Sequence, residues 1–315
     1  MWQIKYTNLI QEELEFFISN LPVDFQGLIR EPLSVRRRGL APVAEPETPW
    51  VLLPLIICDS IGGNCEKALP LCAALQFFMA AGDVFDDVED SDTPLSLSSK
   101  YGTAITNNVA TTLLVLGEKA IVRLKENKIN DSEIVRILDI INSYYLKACT
   151  GQHLDLSHCN KLDISEKDYL DILSLKSASQ IECACYTGAL LATDNNELLD
   201  LFKQFGYNIG MMLQITNDIA GIINKKDIIN KKITFPLVFA LSQTEKAIHK
   251  KLEQYYRNQS GNELSVENIS DILSNTGALH YSAIINESYR LLATEAAEKA
   301  ESYGANPDKL RVFLQ

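Results

Sequence analysis

Apolar residues recur at steps of three and four positions through most of this 315-residue chain. Residues at these steps lie on one face of an α-helix, so the pattern predicts long amphipathic helices. No stretch of useful length alternates apolar and polar residues as a strand would, and turn-forming segments separate the helical ones. The pattern therefore predicts an all-α fold, a single bundle of long helices over residues 1–315. Its clearest helical stretches are residues 66–87, 107–127, 131–156, 166–192, 196–222 and 278–303.

The charge balance narrows the classes of partner. The formal net charge is -12 and the isoelectric point is near 4.9, so a general attraction to nucleic acid or to an anionic membrane is not expected. The longest apolar runs are broken by proline and fall short of the ~20 residues that span a bilayer, and the first residues do not resemble a signal peptide. We expect a cytoplasmic protein without a transmembrane segment.

Negative charge is concentrated at the end of the first of these helices. Six acidic residues fall within the ten positions 83–92, directly after an apolar run. Asp86 and Asp90 are four residues apart, so on a helix they share a face with Asp87 beside them. A solvated helix end would explain an isolated cluster of this kind. Converging carboxylates also suit Mg²⁺, which takes one or two carboxylates together with phosphate oxygens and water.

A second polar element follows another long apolar helix. In the sequence LQITNDIAG, Asn217 and Asp218 stand about one turn after Gln214. A lone lysine in a helix usually extends its charge to water, but two acidic elements together with several lysines are what a diphosphate bound through Mg²⁺ requires. The candidate lysines are Lys176, alone in an apolar helical stretch, and Lys225, Lys226, Lys231 and Lys232 after the second element.

The order of these motifs resembles that of the trans-isoprenyl diphosphate synthases, the polyprenyl synthetase family of class I isoprenoid enzymes. The matching segments are DDVED, GQHLDL, LKSAS, LQITNDIAG and KKDIINKKITFP, in this order, and the resemblance runs from about residue 25 to the C-terminus. It implies an all-α fold around a deep apolar cavity and a site for three Mg²⁺ ions. It also implies an allylic prenyl diphosphate as the substrate, and a homodimer.

The resemblance further implies roles for individual residues. Phe77 and Phe78 would line the pocket for the prenyl cation, although core packing is the commoner role of such rings. Gly221 stands where the last aspartate of the family's second motif would be. The implied metal ligands are Asp86, Asp87, Asp90, Asn217 and Asp218. The implied catalytic and diphosphate-binding residues are the three aspartates of the first motif with Lys176, Gln214, Lys226 and Lys232; Lys226 and Lys232 belong to a lysine-rich element completed by Asp227, Thr234 and Pro236.

Several departures from the family pattern concern isopentenyl diphosphate, the second substrate of elongating members. Those members carry an early Gly-Lys-Arg-x-x-Arg-Pro element, whereas the corresponding segment here reads AEPETP, with Glu45 and Glu47. The family histidine before the first motif is Met79, and the arginine pair after that motif is missing from SDTPLSLSSKYG. A charge-assisted contact contributes ~1.5 to 3 kcal/mol, so the loss of several should abolish this second site.

Three interpretations remain for the group that captures the prenyl cation. The acceptor is a peptide or another nucleophile without a diphosphate, as in the ComQ-type pheromone prenyltransferases that the chain resembles in DDVED, GQHLDL and the weakened second motif. Alternatively, the double bonds of the substrate capture the cation, as in a terpene synthase, or the chain is an inactive partner subunit of a heteromeric synthase. We favour the first interpretation, because an inactive scaffold would need neither the carboxylates nor the lysines.

Overall fold

The computed structural model describes residues 2–34, 49–90, 96–158, 162–243, 245–257 and 264–314. Over these ranges the chain forms α-helices and no strand. The prediction of an all-α fold is therefore confirmed. The helices are α1 Trp2–Ile18, α2 Val23–Ser34, α3 Leu53–Ser60, α4 Leu69–Asp90, α5 Leu97–Tyr101, α6 Thr103–Val122, α7 Asp131–His158, α8 Glu166–Leu173, α9 Ser179–Leu190, α10 Asn196–Ile223, α11 Lys226–Ile229, α12 Phe235–Gln243, α13 Lys246–Tyr256, α14 Val266–Asn275 and α15 Ala278–Glu301.

One predicted helix is interrupted. The pattern predicts a continuous helix over residues 166–192, but α8 and α9 are separated by a π-helical turn, Ser174–Ala178. A π turn inserts one residue into the helical repeat without breaking the apolar periodicity on either side, so the spacing of apolar residues does not reveal it. Short 3₁₀ turns extend other elements at Pro49–Leu52, Cys65–Ala68, Arg123–Asn127 and Pro307–Phe313.

The helices form two compact units, each built from separate stretches of the chain. The first comprises Met1–Asn142, Ala184–Phe202 and Glu298–Gln315. Its core is organised around α4, whose Phe77 ring meets the edge of Phe17 from α1 at a centroid distance of 6.1 Å. On α6, Gly117 leaves room for Phe78, because a Cβ at this position would lie 2.9 Å from the ring carbon Cζ. These aromatic contacts fix α4, and with it the acidic residues at its end.

Helix α4 lies within a long apolar stretch. Within the described residues, one helical stretch, Cys65–Glu89, is long and apolar enough to cross a membrane, and 72% of its most apolar window is buried inside the fold. Core helices of globular proteins pass the same test of length and composition. The apolar run before the acidic cluster therefore serves the core of the first unit.

The second unit comprises Ser143–Cys183 and Lys203–Ala297. One apolar cluster joins α8, α10 and α12 through Tyr169, Met211, Ile215 and Phe235. A second cluster joins the end of α10 to α11, α13 and α14, with Ile228 fully buried in it. Both clusters lie beside sequence motifs that are candidates for function. The assignment of residues 1–315 to one domain stays a prediction.

Candidate active site

The first acidic motif occupies the last turns of α4. Val84 is buried, whereas Asp83, Asp86 and Asp87 are half-buried, so the helix leaves the core of the first unit at this point. Asp90 is the last residue of α4, and its side chain lies outside the described part of the chain. The helical geometry predicted for the motif is therefore present, and two of its three carboxylates reach partly into solvent.

Lys176 lies in the middle of the π turn of the second unit. Its ammonium donates a hydrogen bond to Asp155 Oδ2 of α7 at 2.6 Å, and the two side chains are 25% and 41% exposed. The side-chain amide of Gln180 donates a hydrogen bond to the Lys176 carbonyl at 2.8 Å. The lysine is therefore held by an acid rather than extended into water.

Gly151 allows this arrangement. It lies on α7 one turn before Asp155, and a Cβ at this position would lie 2.3 Å from the backbone nitrogen of Lys176. Atoms of two backbones cannot give way as the end of a side chain can. The π turn therefore packs directly on the α7 backbone, and this close approach requires glycine.

The second motif places its two polar residues in different environments. Asn217 is exposed, whereas Asp218 is only 4% exposed. Asp218 Oδ2 accepts hydrogen bonds from the Tyr169 hydroxyl and the Phe235 backbone N–H, both at 2.8 Å. Its Oδ1 accepts from Gln214 Nε2 at 3.1 Å. Oδ2 of Asp218 thus ties α10 to α8 and to the start of α12, whereas Oδ1 bonds to Gln214 one turn before it on α10.

Burial controls the acidity of this group. It raises the pKa of Asp218 from the ordinary 3.8 to about 6; the hydrogen bonds from Phe235, Tyr169 and Gln214 lower the pKa, and the nearby charge of Asp227 raises it. The pKa of the Tyr169 hydroxyl also rises well above its usual range, chiefly through burial and then through the charge of Asp218. The tyrosine therefore stays protonated and acts as a hydrogen-bond donor.

The lysine-rich segment turns back on itself directly after α10. Lys225 and Lys231 adopt positive φ angles of 62° and 55°, which non-glycine residues rarely do. Lys225 pairs with Glu267 at 3.4 Å, and the Lys231 ammonium lies 4.8 Å from the centroid of the Tyr255 ring. Two lysines of this segment are predicted to bind diphosphate; Lys226 is exposed and Lys232 is half-buried.

The remaining predicted residues lie in the first unit. Phe77 and Phe78 are 0% and 3% exposed and make the core contacts with Phe17 and Gly117, so their role in binding the prenyl chain stays a prediction. Met79 is half-buried at the position of the family histidine. Glu45 and Glu47 lie outside the described residues, as does most of the segment that follows the first motif.

Comparison with known proteins decides the family. The sequence profile of the polyprenyl synthetase family matches residues 51–273, which is more than half of the chain. The chain belongs to the polyprenyl synthetase family. It is therefore an enzyme that acts on a prenyl diphosphate, as the prenyltransferases related to it do.

Relatives within the polyprenyl synthetase family fall into two kinds. The chain is 25% identical over 279 residues to a geranylgeranyl diphosphate synthase of Sulfolobus acidocaldarius, and the match covers 84% of each protein. It is 27% identical over 248 residues to the tryptophan prenyltransferase ComQ of Bacillus subtilis, a match that covers 76% of this chain and 77% of ComQ. The identities are too similar to choose between elongation and transfer to another acceptor.

A solved structure shows the same fold. The geranylgeranyl pyrophosphate synthetase of Pyrococcus horikoshii superimposes with a TM-score of 0.79, and the match covers 99% of this chain and 96% of that one. The two sequences are 20% identical. At this identity the likeness establishes the architecture of the polyprenyl synthetases and leaves the substrate open.

Polyprenyl synthetases use a divalent metal ion, and the donor chemistry of this chain fits one. Asp86 and Asp87 offer half-buried carboxylates, and Asn217 offers an exposed amide oxygen; these are the hard ligands that Mg²⁺ prefers, with water and phosphate oxygens completing its shell. Among the described residues, no three His, Cys, Asp or Glu side chains form a cluster that would hold a metal without further ligands. A metal shared with a diphosphate does not need such a cluster.

Four important residues were not predicted from the sequence as site residues. They are Gly151 and Asp155, which hold Lys176, Tyr169, which holds Asp218, and Asp227. A glycine inside a long helix is a signal of close packing, and Gly151 could have been found this way. Asp155 lies in GQHLDL, one of the segments that match the family pattern, but its pairing with Lys176 depends on how α7 and the π turn pack.

Proposed function

We propose that this chain is a Mg²⁺-dependent prenyltransferase that ionises an allylic prenyl diphosphate and transfers the prenyl group to an acceptor other than isopentenyl diphosphate. The reaction would break the bond between the allylic carbon and the diphosphate oxygen. The acceptor would form a bond to that carbon and lose a proton, and diphosphate would leave. We further propose a homodimer, as the family resemblance implies, in the cytoplasm.

The observation that carries this proposal is the loss of the family's bases for a second diphosphate from their usual positions. The sequence AEPETP supplies two acids where elongating synthases have three bases, and Met79 stands in place of a histidine. In the segment after the first motif, the sequence SDTPLSLSSKYG contains one base, Lys100. Its ammonium pairs with Glu31 of α2, which also accepts a hydrogen bond from the Tyr101 hydroxyl at 3.2 Å. Lys100 is thus a single base where elongating members have an arginine pair.

The residues for the first diphosphate support an active enzyme. As the family resemblance implies, Asp86, Asp87 and Asp90 would be the Mg²⁺ ligands of the first motif, and Asn217 and Asp218 those of the second. Three bound Mg²⁺ ions would supply Lewis-acid chemistry to the leaving diphosphate. Lys176, Lys226 and Lys232 would neutralise the remaining charge. Gln214 would bind beside them, since its hydrogen bond to Asp218 fixes the orientation of its amide. An inactive partner subunit would need none of these groups.

We infer that the acceptor is a peptide side chain. The chain resembles a protein named as a tryptophan prenyltransferase over three quarters of its length, and an indole ring is a nucleophile that carries no phosphate. Such an acceptor needs no cationic pocket, which agrees with the acidic segment at residues 44–49.

Elongation is the second candidate, favoured by the match to a geranylgeranyl diphosphate synthase over 84% of the chain. An elongating enzyme would need other bases for isopentenyl diphosphate. The sequence offers Arg36, Arg37 and Arg38, shortly before AEPETP and outside the described residues. A variant in which all three are alanine therefore tests this candidate directly.

The experiment supplies purified protein and Mg²⁺ with geranyl, farnesyl or geranylgeranyl diphosphate. Each substrate is given alone, with radiolabelled isopentenyl diphosphate, or with a tryptophan-containing peptide. We expect Mg²⁺-dependent release of diphosphate, prenylated peptide, and no labelled longer prenyl diphosphate. Efficient incorporation of the label, lost in the triple arginine variant, would establish elongation instead. Hydrocarbon products without peptide product would identify a terpene synthase.

A further inference from the structure

The second unit contains an open pocket that the proposed chemistry does not use. Its volume is about 470 Å³, which is within the usual range of ligand sites, ~300 to 1,000 Å³. Residues of α8, α10 and α15 form it, and all of them lie in this one unit. The lining residues are Glu166, Lys167, Leu170, Asp171, Tyr207 and Tyr289. They belong neither to the two acidic motifs nor to the lysine-rich element.

Two tyrosines give this pocket an aromatic corner. The ring centroids of Tyr207 and Tyr289 are 6.4 Å apart, and the two rings meet at 68°. Both side chains are half-buried and pack against the apolar cluster around Met211 and Phe235, which fixes their positions. The face of a tyrosine ring attracts a cation that comes within about 6 Å of its centroid. The corner is therefore suited to a cationic ligand.

A carboxylate stands beside these rings in a fixed position. Glu166 is half-buried at the start of α8, and its Oε1 accepts a hydrogen bond from the Tyr281 hydroxyl at 2.7 Å. This bond occupies one of the roughly four acceptor positions of a carboxylate. The Tyr281 ring is fixed in turn, because it stacks on Phe239 at a centroid distance of 4.1 Å. Core packing therefore holds the negative charge of Glu166 at the pocket.

The other charged residues of the lining leave this charge in place. Lys167 pairs with Asp171 at 2.6 Å, and both side chains are exposed. The lining thus has two acids and one base, so its net charge is negative. The whole chain carries a net charge of -12, which raises the local concentration of basic ligands. Charge and aromatic rings therefore favour the same kind of ligand.

We propose that this pocket binds an arginine side chain of the peptide acceptor, apart from the residues assigned to prenyl transfer. A guanidinium is planar, so it stacks on an aromatic face and also donates paired hydrogen bonds to a carboxylate; an ammonium has neither geometry. Tyr207, Tyr289 and Glu166 offer both kinds of contact in one place. The inference rests on the proposed function for the peptide as acceptor, whereas the affinity of the pocket for a guanidinium does not depend on it.

The test measures the binding of two short peptides by saturation-transfer NMR, without any prenyl diphosphate. The peptides are acetyl-Gly-Arg-Gly-amide and its citrulline counterpart, which has the shape of arginine but no charge. We expect the citrulline peptide to bind at least about tenfold more weakly, because its hydrogen bonds to Glu166 lack the charge. Glu166→Gln keeps an acceptor for Tyr281 and removes the charge, so it should weaken binding of the arginine peptide by about the same factor.

The aromatic contact is tested at Tyr289. Tyr289→Leu removes the ring and should weaken binding of the arginine peptide about 3- to 30-fold. Tyr289→Phe keeps the ring face and should bind nearly as the wild type does. Asp271→Asn, at an exposed acid on α14 of the same unit, is the control and should have no effect. Thermal unfolding checks that each variant is folded.

Three results would overturn the inference: no binding by the wild type, equal binding of the citrulline peptide, or undiminished binding by a folded Glu166→Gln variant. In the prenylation assay, a tryptophan peptide with arginine should have a KM about tenfold below that of its citrulline counterpart, with kcat unchanged. Equal KM values would show that the pocket does not serve the acceptor. The two proposals fail separately, because a lack of prenylated peptide contradicts the acceptor assignment, while the NMR titration still decides whether the pocket binds a guanidinium.

Discussion

The two acidic motifs both stand near the end of a long apolar helix, yet their carboxylates are held in opposite ways. Asp86 and Asp87 are half-buried at the end of α4 in the first unit. In the second unit, Asp218 is buried and both of its oxygens accept hydrogen bonds from protein groups. The exposed position beside it is taken by Asn217, which carries no charge.

This difference gives the two motifs different surroundings. Two carboxylates of the first motif are half-buried, whereas a buried carboxylate with three hydrogen-bond donors has most of its lone pairs in use. Asp218 therefore fixes Gln214, Tyr169 and the start of α12. The roles of Asp86, Asp87 and Asp218 as metal ligands stay predictions.

The largest expected effect comes from the first motif. Asp86→Asn keeps the size of the side chain and removes the charge that a metal requires, so we expect diphosphate release to fall about a thousandfold or more, equivalent to ~4 kcal/mol in the barrier. Helicity and the melting temperature should change little. Diphosphate release is measured with farnesyl diphosphate and Mg²⁺, and helicity by circular dichroism.

Glu89→Gln is the matched control for this prediction. Glu89 is an exposed acid on the same turn of α4, and its variant should retain nearly full turnover. Equal losses in the two variants would mean that the general negative charge of the helix end matters, and not a metal site at Asp86.

A second prediction concerns stability. Asp218→Ala leaves the Tyr169 hydroxyl and the Phe235 N–H without their acceptor in a buried place, and each such loss costs ~1 to 3 kcal/mol. We expect the free energy of unfolding in urea to fall by about 3 kcal/mol. Tyr169→Phe removes one of these donors and should cost less. An Asp218→Ala protein of wild-type stability would show that this residue belongs with the open carboxylates.

The pH dependence of the free energy of unfolding tests the burial of Asp218. The folded pKa of Asp218 is about 6 and the ordinary value is 3.8, so the folded state favours the protonated form. Relative to Asp218→Asn, the free energy of unfolding of the wild type should therefore be highest below pH 3.8 and fall as the pH rises through 6. An opposite slope would mean that the hydrogen bonds outweigh burial.

The smallest effect should come from Lys176→Met. We expect a loss of ~1.5 to 3 kcal/mol in the binding of inorganic diphosphate with Mg²⁺, measured by calorimetry, because one charge-assisted contact is removed. Stability should change by less than about 1 kcal/mol, since the ion pair with Asp155 is partly exposed. Lys167→Met removes a more exposed ion pair, with Asp171 at 2.6 Å, and should not affect binding.

The sequence predicts the helices well and the roles of buried polar groups poorly. The stretch predicted at 196–222 is α10 at Asn196–Ile223, because its apolar residues pack as the spacing requires. Asp218 falls on the same stripe as Met211, Ile215 and Ile222, which are buried, so the spacing held a signal for its burial. Its donors come from α8 and α12, and no local pattern identifies such distant partners.

The π turn and the Gly221–Asp227 contact show a second limit of prediction. Apolar periodicity continues on both sides of Ser174–Ala178, so one inserted residue leaves no mark on it. At Gly221, the sequence shows that an aspartate of the family motif is missing, and the structure places Asp227 Oδ2 1.8 Å from where a Cβ would lie. The position of Asp227 depends on the positive φ of Lys225 and the burial of Ile228. Both features arise from tertiary packing.

Two glycines inside long helices differ in how freely they can be replaced by larger residues. On α4, a Cβ at Gly82 would meet no described atom within 4 Å, so larger residues are accessible there by single substitutions one turn before Asp86. On α7, Gly151 is in contact with the backbone of the turn that carries Lys176. Any side chain there requires a compensating change in that turn. We therefore expect single substitutions to be tolerated at Gly82, whereas substitutions at Gly151 should disturb the turn that carries Lys176.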